Sequence, residues 1–71
     1  MTLHELANEA LKERKILVLK LTREPSSAEL QYASILVVNE VVVKNRFGRR
    51  GPWAQVQDDM GGTPIKLVEI P

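Results

Sequence analysis

Ile35-Leu36-Val37-Val38-Asn39-Glu40-Val41-Val42-Val43-Lys44-Asn45 is the stretch on which the fold turns. Its β-branched residues favour strand, because two heavy atoms on Cβ restrict χ1 and pack well on a pleated surface. Asn39-Glu40 interrupts the run, and two readings stay open. The pair is a tight turn between two strands, or two polar residues inside one. A two-residue hairpin turn usually carries Gly at its second position, where Glu40 stands. The preferred reading is therefore one long strand over about 34–45, with room for a bulge. A helix through the whole stretch, ended at Gly48, is the alternative.

Toward the N-terminus the signals are sharper. Thr2-Leu3-His4-Glu5 has the form of a capping box, in which a hydroxyl and a carboxylate satisfy orphan amides at a helix start. Leu3, Leu6, Ala7, Ala10 and Leu11 follow at the spacings of one helical face, so a helix is expected over Thr2–Glu13. Lys15–Thr22 alternates as a strand, and Pro25 ends it because proline cannot donate to a ladder. Ser26-Ser27-Ala28-Glu29 is a second capping-box pattern, which leaves a short helix over about 27–34 open.

Toward the C-terminus, Phe47-Gly48-Arg49-Arg50-Gly51-Pro52 reads as a loop from its glycines and proline. Trp53–Gln57 alternates weakly and reads as a strand, Asp58–Thr63 as a turn, and Pro64–Ile70 as the last strand. The expected fold is a single α+β domain over 1–71. Its N-terminal helix packs on a small, mostly antiparallel sheet of 3–4 strands, with the last three strands as a meander and room for a second short helix after Pro25.

Composition narrows the function classes. A chain of 71 residues has a thin core, and with no cysteine it has no disulfides, thiolate metal sites or cysteine nucleophiles. One histidine, His4, cannot build a His-rich metal centre, and no cofactor is expected. The net charge of +1 places any nucleic-acid surface in a local patch. The uncharged stretches are far shorter than a membrane span, and the expected location is the cytoplasm.

The strands are apolar on both faces, with Leu17, Leu19 and Leu21 against Ile16 and Val18, and Ile35, Val37, Val41 and Val43 against Leu36, Val38 and Val42. An antiparallel sheet with one wet face should alternate cleanly. The N-terminal helix is about 16 Å long, and a four-stranded sheet is about 19 Å across. One helix covers about half of one face, so something else must cover the rest. The candidates are the short second helix, a second copy of the chain, or another protein. On this reading Val37, Val38, Val41, Val42 and Val43 are interface residues, with a homodimer as the favoured partner state.

The most function-like stretch is Lys44-Asn45-Arg46-Phe47-Gly48-Arg49-Arg50-Gly51-Pro52-Trp53. The guanidinium fork suits phosphate, glycines admit anions to backbone amides, and aromatic rings stack on bases. Lys44, Arg46, Phe47, Arg49, Arg50 and Trp53 are the candidate nucleic-acid contacts. No named nucleic-acid motif is complete here. The plain alternative is a solvated loop with Trp53 anchored in the core and Phe47 packed beneath the turn.

Other residues carry less. His4 has no Ser or Asp partner suggested nearby. Asp58-Asp59 lacks the alternating ligands of a calcium loop, and Gly61-Gly62-Thr63 is not followed by the lysine of a phosphate loop. Glu9 and Glu13 lie one helical turn apart and read as solubilising charges. No positioned acid–base pair can be nominated, and no small-molecule substrate is evident. The sequence is read as a non-catalytic binding module, or alternatively as an assembly protein.

Overall fold

A computed structural model describes residues 2–45 and 50–71. Among these, the order is α1 (Leu3–Lys12), β1 (Ile16–Leu21), α2 (Ser27–Tyr32), β2 (Ile35–Val38), β3 (Val41–Asn45), α3 (Trp53–Met60) and β4 (Ile65–Ile70). The class is α+β, with the N-terminal helix on a four-stranded mixed sheet of order β3-β2-β1-β4.

Both early helices form where their caps predict. The Thr2 hydroxyl accepts from the Glu5 amide at 3.2 Å and donates to the Glu5 carboxylate. At α2 the capping box closes fully: the Ser26 hydroxyl accepts from the Glu29 amide at 3.3 Å, and the Ser26 amide donates to the Glu29 carboxylate at 2.7 Å. Helix α1 ends in a Schellman motif. Lys15 N–H reaches the Ala10 carbonyl at 2.8 Å and Arg14 N–H the Leu11 carbonyl at 3.1 Å. Arg14 holds the left-handed position at φ 56°, where glycine is usual.

The central stretch is a hairpin rather than one strand. Asn39 and Glu40 both take positive φ, 50° and 66°, the pattern of a type I′ turn. Val38 and Val41 close it, and two non-glycine residues accept the left-handed region because the flanking strands hold them there. A bulge interrupts the hairpin: Leu36 faces Lys44 while Val37 faces Val42, so Val43 is the extra residue and Val42 shares the face of Val37 instead of opposing it.

The meander does not form. Strand β1 pairs in parallel with both β2 and β4, and only the β2–β3 hairpin is antiparallel. Residues 22–34 carry α2 between β1 and β2, a connection of about the length a parallel crossover requires. Trp53–Gln57 also departs from its strand reading. It opens α3, whose Trp53, Val56 and Met60 fall at helical spacing onto one core cluster.

These corrections explain the two-sided apolar strands. Helices α1 and α2 cover one face, closing a cluster of Ala10, Leu17, Leu19, Leu21, Ala33 and Leu36. Helix α3 covers the other, closing Ile16, Val18, Ile35, Val37, Val42, Trp53 and Val56. Continuous apolar runs are what a parallel strand buried on both faces needs. The second face is shielded by the chain itself.

One buried charge stands out. Glu29 is 2% exposed and accepts from both Arg23 terminal nitrogens, at 2.7 and 2.8 Å. This fork and the Ser26 amide hold its carboxyl at about 2, well below the usual range, against the opposing effect of burial.

Candidate functional site

Of the basic stretch, Lys44 is the next-to-last residue of β3 and Arg50 precedes α3, and both are exposed. The Lys44 ammonium donates to the Leu30 carbonyl at the end of α2, at 2.9 Å. Arg46, Phe47 and Arg49 lie outside the described residues. A backbone bridge pairs Val41 with Pro52, and Val42 N–H donates to the Gly51 carbonyl at 3.3 Å. The two ends of the stretch are thereby drawn together. Trp53 is 7% exposed and packs in the α3 core, so its ring is committed to the fold.

The valine segment divides in two. Val37 and Val42 are buried, at 1% and 7% exposure, and serve the chain's own core. Val38 is half-buried. Val41 and Val43 are exposed at 60% and 45% and are the members open to a partner.

A third place escaped sequence reasoning. At the carboxyl ends of β1, β2 and β4 lies a cleft of about 420 Å³. Its polar lining is Lys20, Thr22, Asn39, Glu40 and Glu69, and Val37 is part of its apolar wall. Lys20 is the register partner of Val37 on one side and Glu69 on the other, which puts all three on the α3 face. Helix α3 leaves this corner open by its path. It starts against β3, where Trp53 N–H donates to the Glu40 carbonyl at 2.8 Å, and it leads toward the start of β4 at Ile65. With eight residues it spans about 12 Å. Leu67 and Glu69 are left exposed, Leu67 at 44%, and Lys20 only half-buried. No single segment signals this site, because its residues come from three strands and a turn.

Among the described residues no group of three or more His, Cys, Asp or Glu side chains is placed to hold a metal ion. Nor is any helix among them long and apolar enough to cross a membrane. No known protein family matches the chain, nor does any curated protein or solved structure.

Proposed function

We propose that the chain is a non-catalytic module that contacts the phosphate backbone of nucleic acid through Lys44, Arg46, Arg49 and Arg50. The observation that carries the reading is charge segregation. Residues 41–57 contain these four cations and no Asp or Glu, so this stretch is +4 in a chain whose total is +1. The other residues together are therefore −3 (1 − 4). A nearly neutral protein with a concentrated basic segment attracts polyanions locally. The exposure of Lys44 and Arg50, with the Val41–Pro52 bridge gathering the ends of the stretch, supports the same reading. With Trp53 in the core, any base stacking falls to Phe47.

Fluorescence anisotropy with labelled single-stranded oligonucleotides tests this. Four phosphate contacts give a log–log salt slope of about −3, or about 50-fold weaker binding between 50 and 200 mM salt. The Arg49→Ala/Arg50→Ala variant should keep its circular dichroism spectrum and lose most of the affinity. Binding equal to the parent's would overturn the reading.

A second reading, assembly through β3, is favoured by the exposure of Val41 and Val43. Sedimentation of a Val41→Lys variant tests it: the parent should be a dimer and the variant a monomer. A parent that is monomeric at high micromolar concentration removes the homodimer.

A further inference from the structure

We propose that the cleft at the carboxyl ends of β1, β2 and β4 binds a small zwitterion, a free amino acid with an apolar side chain. The position comes first. In sheets with parallel strands, ligands sit outside the carboxyl ends, where the connections leave on opposite faces. Strand β1 occupies that place: it leads to β2 through α2 on one face, while β4 is reached through α3 on the other.

The size is suitable. A cleft of about 420 Å³ falls within the range of sites that take small molecules. The chemistry narrows the ligand further. Lys20 is half-buried and its ammonium has no hydrogen-bond or ion-pair partner among the described residues. Glu69, its register neighbour on β4, forms no ion pair with it, and Glu40, in the turn that borders the cleft, is likewise without a side-chain partner among the described residues. Lys20 and two glutamates thus line a space whose wall includes Val37. A simple anion would meet Lys20 but face both glutamates, and a simple cation would leave Lys20 unanswered. A ligand that carries both charges answers both, its carboxylate toward Lys20 and its ammonium toward Glu69, the register neighbour of Lys20, with Glu40 adding to the negative side. Its apolar side chain then covers Val37, while Asn39 and Thr22 offer hydrogen bonds at the rim.

An NMR titration of the ¹⁵N-labelled chain tests this, with L-leucine as the probe and N-acetyl-L-leucine and L-leucinamide as controls. Leucine should shift the amides of residues 20–22, 39–40 and 69–70 saturably. Each control lacks one charge and should bind about tenfold more weakly, a loss of about 1.4 kcal/mol. Lys20→Met and Glu69→Gln should each cause a similar loss. Glu69 is exposed on an edge strand, so Glu69→Gln keeps the test decidable should Lys20→Met fail to fold. The Arg49→Ala/Arg50→Ala variant should bind leucine like the parent, which separates this site from the basic stretch. No saturable shift with leucine, equal binding of all three compounds, or unchanged binding by Glu69→Gln overturns the proposal.

Discussion

The two faces of the sheet are built from the same strands and differ in completeness. On the α1/α2 face the cover runs the full length of β1, so that Leu21, its last residue, is 3% exposed. On the α3 face it stops short: Lys20, one residue earlier, is only half-buried, at the edge of a cleft that Leu21 also borders from the sheet end. Two helices on one side against a single eight-residue helix on the other account for the difference. The lesson is that a small domain can close one layer fully and still leave a shaped corner on the other. The polar residues of the cleft sit where the cover ends.

The sharpest way to break this comparison is to empty each core in turn. Trp53→Ala on the α3 face should cost about 3–5 kcal/mol, and Leu19→Ala on the opposite face about 2–5 kcal/mol, by chemical denaturation. A cost under about 1 kcal/mol for Trp53→Ala would mean that the α3 face is not a core at all.

The next effect is electrostatic and belongs to the complete face. Arg23→Ala strands the buried Glu29 carboxylate and should cost about 2–3 kcal/mol, less than a fully buried pair because Arg23 is half exposed. Glu29 titrates at about 2 when folded and near 4.5 when unfolded. Above about 4.5 its contribution is fully present, and it is lost as pH falls toward 2, because the unfolded chain takes up the proton first. Thermal unfolding from pH 5 to 2 should show this loss in the parent and a shallower slope in Glu29→Gln.

The smallest effect marks the open corner. Leu67→Thr should change stability by less than about 1 kcal/mol, since that side chain is already 44% exposed on an edge strand. A loss comparable to that of Leu19→Ala would show that the corner is packed and the comparison wrong.

Much of the fold was legible where the deciding interactions are local. Both N-caps, the periodic face of α1, β1 and β4 follow from residues within a few positions of one another. The Asn39-Glu40 turn was hidden because neither residue is glycine, and the strain is borne by strand pairing that the turn does not encode. Helix α3 was hidden because Trp53-Ala54-Gln55-Val56-Gln57 alternates as well as it spirals, and only the distant Met60 separates the two periods. The basic stretch was plain as composition, yet the burial of Trp53 was not decided there. The cleft was invisible, since Lys20, Asn39 and Glu69 become neighbours only through register.

By itself, the sequence determined the caps, the strand-forming runs, the breaks at Pro25 and Gly61-Gly62, and the gathering of charge in 41–57. Each depends on sterics or composition that a short peptide already possesses. Tertiary structure alone decided the parallel pairing of β1, the face each helix covers, and which valines stay wet. Those choices are settled by which long-range arrangement buries the apolar runs on both sides of the central strand with the fewest unpaired backbone groups.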